Sequence, residues 1–136
     1  MRAQREAEEA EEAEREAERI AAIERQIAGL NSLKAKYVAA KASVEGAESQ
    51  CSGESTSWSS KIAVFAGRID EINHTDLFEG EISEKLKEHA LDIKSDMESG
   101  VACASSLCGA LGSQVGSIDA RIAEIEMEIS DLRSQI

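Results

Sequence analysis

The chain has 136 residues, a formal net charge of −12, no proline, and only one Trp, one Tyr and two Phe. That acidity excludes the basic face that nucleic acid or an anionic membrane surface would need. The shortage of large residues argues against a globular core and for long helices joined by narrow apolar seams.

Residues 2–19 alternate arginine, glutamate and alanine, with a weak stripe at Ala3, Ala7, Ala10, Ala17 and Ala21. Pairs such as Arg2 with Glu6 and Glu11 with Arg15 sit at helical spacing, each worth a few tenths of a kcal/mol. Residues 1–19 therefore read as a charged helical extension, and 20–136 as the helical domain. From Ile20 the stripe strengthens through Ile23, Ile27, Leu30, Tyr37, Val44 and Cys51, interrupted by Lys34, Lys41 and Glu48. Polar residues in a seam weaken it but help fix register. The spacing predicts a helix over about 20–50.

The stretch from Gln50 to Ser57 is rich in serine and contains Gly53. A glycine can close one helix in the left-handed conformation, and a Ser or Thr can cap the next. We expect a short turn here and hence an antiparallel hairpin. A second helix, about 56–74, carries Trp58, Ile62, Phe65, Ile69 and Ile72. Trp58 reads as either a plug between helices or a recognition feature displayed to a partner. The register then slips near Asp76 and Glu79, a capping-box-like pair, and residues 73–80 read as a kink or a full reversal.

The third helix, about 80–136, has the longest stripe. It runs Ile82, Leu86, Ala90, Ile93, Met97, Val101, Ala104, Cys108, Leu111, Val115, Ile118, Ile122, Ile125, Ile129, Leu132 and Ile136, every step three or four residues. At 1.5 Å per residue it would extend roughly 80 Å. Such a stripe reads as too long for the same chain to cover, which implies a partner helix. Within it, residues 99–118 carry no charge, and Gly100, Ala104, Cys108, Gly112 and Gly116 recur every four residues. A small-residue row permits close helix packing. A hinge or a membrane span are the other readings, and the serines make the segment polar for a span.

Residues of chemistry are few. His74 and His89 have no ligand at metal spacing. Cys103 and Cys108 are turned about 140° apart on a helix and cannot join each other. An odd cysteine count with no framework spacing suggests free thiols in a reducing compartment. No paired carboxylates in an apolar pocket and no phosphate-cradling loop stand out, and so few helices leave little room for a cavity. We therefore expect no enzyme, no cofactor and no metal. The charged N-terminus suggests a cytoplasmic protein, or one exported without a cleaved leader.

A long helix, a Ser/Gly-rich stretch, then Trp58-Ser59-Ser60 opening a helix with Phe65 beyond it resembles the WxG-type small helical proteins of type VII (ESX) secretion in Gram-positive bacteria. More narrowly, the chain is similar to the YwqH-like proteins that accompany LXG-domain toxins. The pattern spans 20–136, although only Trp58 and Phe65 match as specific residues. Ser60 stands where that family has glycine, and no Tyr-x-x-x-Asp/Glu export signal follows the last helix. The resemblance implies a non-enzymatic adaptor that binds the LXG domain of a toxin and helps recruit or export it, with a second small helical protein as a further partner. The expected partner-binding residues are Trp58, Phe65, Gly100, Ala104, Cys108, Leu111, Gly112, Val115, Gly116, Ile118, Ile122, Ile125, Ile129 and Leu132. The alternative is a self-assembling structural coiled coil, for which the Leu111–Ile136 stripe could drive a homo-oligomer.

Overall fold

The computed structural model describes the backbone of residues 1–73 and 81–136, and the side chains of residues 1–71 and 84–136. It is an all-α helical hairpin. Helix α1 spans Arg2–Asn73 and helix α2 spans Glu81–Ser134. Cross-helix pairs advance in opposite senses along the two helices, so they are antiparallel. The reading of 73–80 as a kink or a reversal, with its Asp76–Glu79 pair, falls mostly on residues 74–80, outside the described residues.

The expected turn at 50–57 is not there: α1 is helical throughout that stretch. Helix-capping residues act as breakers only when their side chains take backbone groups away from the helix. Here Thr56 Oγ1 donates to the Ser52 carbonyl at 3.0 Å, and Ser60 Oγ donates to the Thr56 carbonyl at 3.2 Å. Each hydroxyl bonds back four residues, which leaves the helix intact. With no proline to remove a donor, one helix results where two were expected.

The less exposed positions of α1 confirm a continuous seam. Ile20, Ile23, Ile27, Leu30, Lys34, Tyr37, Lys41, Val44, Glu48, Cys51, Ser55, Ile62, Phe65 and Ile69 are all buried or half-buried. The interval from Ser55 to Ile62 skips one place, the exposed Trp58.

The paired helices divide into two compact units. Unit 1 joins Met1–Ala42 to Gly116–Ile136. Its core is Ile23, Ile118, Ile125 and Ile129, and Ile125 is 0% exposed. Burying such a side chain stabilises by about 1.5–3 kcal/mol. The polar seam residues cross to α2: Lys34 Nζ lies 3.1 Å from Glu126 and Lys41 Nζ lies 2.7 Å from Asp119. Both pairs are partly exposed, so they contribute register more than stability. Arg19 donates to the carbonyl of Gln135 at 2.9 Å. It also holds the Glu16 carboxyl below the usual carboxylate range, chiefly through their hydrogen bond. Residues 1–19 are exposed throughout.

Unit 2 is Ser43–Val115, with Ile62 and Ile69 as its buried apolar residues. Cys51 and Cys108 form a disulfide across the helices, with Cα atoms 5.9 Å apart. This corrects the expectation of free thiols. Only Cys103 is free, and it is exposed.

Two further expectations change. Part of the α2 stripe is covered by the chain itself: Ile118, Ile125 and Ile129 are buried in unit 1. The α1 residues of that unit lie within the expected first helix and the charged extension before it, and Lys34 and Lys41 of that helix pair with Glu126 and Asp119. Near its start the stripe also drifts off the seam, since Leu86 and Ile93 are about half exposed. The small-residue row, moreover, comes close to α1 at Cys108 and Ala104 and not at its glycines. A Cβ at Gly100 or Gly116 would meet nothing within 4 Å, and one at Gly112 would meet only the Glu48 carboxylate, at 3.2 Å. Gly116→Ala should therefore stabilise the chain by about 1 kcal/mol, the helix-propensity difference alone. A lowered midpoint in thermal or urea unfolding would mean that something does pack there.

Candidate functional site: an apolar groove beside Trp58

Unit 2 carries an open groove of about 730 Å³ between α1 and α2. Small residues line it, Ala47 and Cys51 on α1 and Gly100 and Ala104 on α2. Large residues line it as well: Trp58 on α1, and Met97, Val101, Leu107 and Leu111 on α2. Small side chains set among bulkier ones leave space between the helices unfilled. This is the room that a two-helix protein was not expected to have.

Trp58 is 51% exposed and Leu107 is 56% exposed. Trp58 is therefore not the plug of a turn. Its ring lies under the Lys61 ammonium, with Nζ 4.9 Å from the ring centre. That cation–π contact steadies the ring while leaving it open to the groove. Glu54 and Gln50 supply the polar groups at the rim. The lining is otherwise mostly apolar, as a surface that receives a side-chain row must be.

The disulfide crosses the seam beside this groove. Cys51 lines it, whereas Cys108 lines a shallower, serine-rich hollow with Ser52, Thr56, Ser59 and Ser105. Ser55 lines both, and its buried Oγ has no hydrogen-bond partner. Cys51 Sγ lies 3.4 Å from the Ala104 carbonyl oxygen. A disulfide sulfur has no proton to donate, so this is a packing contact.

Of the residues expected to bind a partner, the groove gathers Trp58, Gly100, Ala104 and Leu111. Cys108 is tied to it through the disulfide. Phe65 and Val115 are half-buried but do not line it, and Gly112 sits under Glu48. Gly116, Ile118, Ile122, Ile125, Ile129 and Leu132 belong to unit 1, where the buried isoleucines serve the chain's own core. Leu132 borders a separate groove there, with Leu30 and Leu33. The sequence reading missed Met97, Val101 and Leu107 as lining residues. The signal was available for Leu107: it lies three residues after Ala104 and four before Leu111, on the flank of the seam.

Among the described residues, no group of three or more His, Cys, Asp or Glu is placed to hold a metal ion. Helix α2 contains a stretch long and apolar enough to cross a membrane by length and composition, and little of that stretch is buried. No protein-family model matches the chain, and neither a curated protein nor a solved structure matches it significantly.

Proposed function

We propose that this chain is a non-enzymatic helical adaptor that docks a partner helix in the groove beside Trp58. The observation that carries this reading is the sole tryptophan standing half exposed at the wall of an open apolar groove. Exposed apolar patches of this kind mark interaction sites, and a groove between two helices suits the apolar face of a third. Tryptophan is also the residue type most enriched among interface hot spots. The partner implied by the resemblance is the LXG domain of a type VII secretion toxin, with the adaptor helping to recruit or export it. The disulfide favours export over permanent residence in the cytoplasm, because such bonds persist in oxidising surroundings.

Self-assembly through the Leu111–Ile136 stripe is weaker as a reading, since Ile118, Ile125 and Ile129 are already buried within the chain.

The test is calorimetric titration of the full chain with an LXG domain encoded beside it. Trp58→Ala should weaken binding by about 30-fold or more, the hot-spot threshold of about 2 kcal/mol. Val64→Ala, at a side chain 64% exposed and outside the groove, should leave affinity unchanged. Equal affinities for all three proteins would remove the groove as the docking site. No binding by any of them, together with a defined homo-oligomer, would favour self-assembly.

A further inference from the structure

Unit 2 is unevenly held. Its buried apolar residues, Ile62 and Ile69, lie on one side of Trp58 along α1. Among the described residues of unit 2, positions 43–61 and 84–115 contain no fully buried side chain. The seam there is made of half-buried Val44, Glu48, Cys51 and Ser55 on α1, against half-buried residues of α2 that include Met97, Val101, Ala104, Leu111 and Val115. Half-buried side chains, several of them small or polar, give less apolar area to hold two helices together than a buried core does, and the buried Ser55 Oγ without a partner weakens the stretch further. The covalent tie in this stretch is the Cys51–Cys108 bond. Its Cys51 end lines the groove.

We infer that the Cys51–Cys108 disulfide is a redox-sensitive latch that keeps the groove beside Trp58 in shape. A dithiol reductant opens it. The reductant's thiolate attacks one sulfur and forms a mixed disulfide, and its second thiol displaces that. Two electrons and two protons pass to Cys51 and Cys108, and the reductant leaves as its own disulfide. The Cys51 thiol then has a proton that it can give to the Ala104 carbonyl, a far weaker tie than the covalent bond it replaces. With the bond open, the helix segments flanking it are joined by side chains of which none is fully buried, and the groove loses its fixed width. A preformed groove binds a helix more tightly than one that must be ordered on binding. Reoxidation after export, with a small-molecule disulfide taking up the two electrons and two protons, would thus lock a complex formed earlier.

The consequence for binding rests on the adaptor reading above, whereas the latch itself is a property of the free chain and is tested without a partner. Hydrogen exchange is measured on the full-length protein air-oxidised, treated with excess dithiothreitol, and reoxidised with oxidised glutathione, with C51S/C108S as a permanent open form. On reduction, amides in 43–58 and 98–115 should exchange at least about tenfold faster, while those around Ile125 keep their rates. Trp58 emission should shift with the same reduction and return on reoxidation. Three results would each overturn the latch: unchanged exchange near Cys51, uniform acceleration that includes the Ile125 region, or two alkylatable thiols at Cys51 and Cys108 in the air-oxidised chain. If the latch fails, the Trp58→Ala titration still decides the docking site; if docking fails, the exchange pattern still stands.

Discussion

Ile125→Asp should unfold the helix pairing of unit 1, whereas Met127→Asp, two residues along the same helix, should change stability by no more than about 0.5 kcal/mol. Ile125 is fully buried and Met127 is 68% exposed. Even Ile125→Ala should cost about 2–5 kcal/mol, from lost burial and the cavity left behind. Aspartate adds a carboxylate with no partner at a position that is 0% exposed, on the buried face that also carries Ile118 and Ile129, and burying an unpaired charge is worse than leaving a void. Domains of this size are stable by only about 5–15 kcal/mol, so a loss of that order removes the packing outright. The measurement is urea unfolding followed by far-UV circular dichroism and by emission of Tyr37, the sole tyrosine, which belongs to unit 1. Similar midpoints for the two aspartate variants would mean that the α2 stripe is not the core of this unit.

The second large effect is loss of the disulfide. Cys51 and Cys108 are 57 residues apart in sequence. By the loop-closure argument, a bond closing a loop of that size stabilises by about 4 kcal/mol, since it removes freedom mainly from the unfolded chain. Trp58, the sole tryptophan, lies inside the closed loop and reports on unit 2. Denaturant unfolding followed by Trp58 emission should shift to a markedly lower midpoint in C51S/C108S and in the reduced wild type. It should also steepen, because a chain without the cross-link exposes more surface when it unfolds. Cys103→Ser, at the exposed free thiol, should match the oxidised wild type. A midpoint indifferent to reduction would mean that the bond adds nothing to unit 2.

The helical fold was legible in the sequence because periodicity is a local property. A step of three or four residues puts side chains on one face whatever covers that face. The same reading found Lys34 and Lys41 as register-setting interruptions, and both meet acids on α2. Its failures share a cause. Gly53 and the serines around it have two local options, capping a break or bonding back within a helix, and nothing nearby in sequence chooses between them. The expectation of an unpaired stripe rested likewise on one local property, the length of the stripe, which does not say what lies opposite each turn of it. Trp58 was singled out, but whether it was plug or display depended on its neighbours across the seam.

The sequence by itself determined that this chain is helical, where each helix has its apolar face, and that the face is rich in small residues around 100–116. The tertiary structure alone decided which face covers which. Ile125 is core and not interface because the antiparallel register lays the 34–37 turn of α1 alongside it, with Lys34 on Glu126 and Tyr37 on Arg121; Cys51 is half of a disulfide because the same register sets it opposite Cys108; and the groove exists because small residues, among them Cys51 and Ala104, line the helix pair beside Trp58. A stripe is a property of one helix and can be read from its residues in order, whereas a pairing joins positions many turns apart along the chain, and only the folded register brings them together.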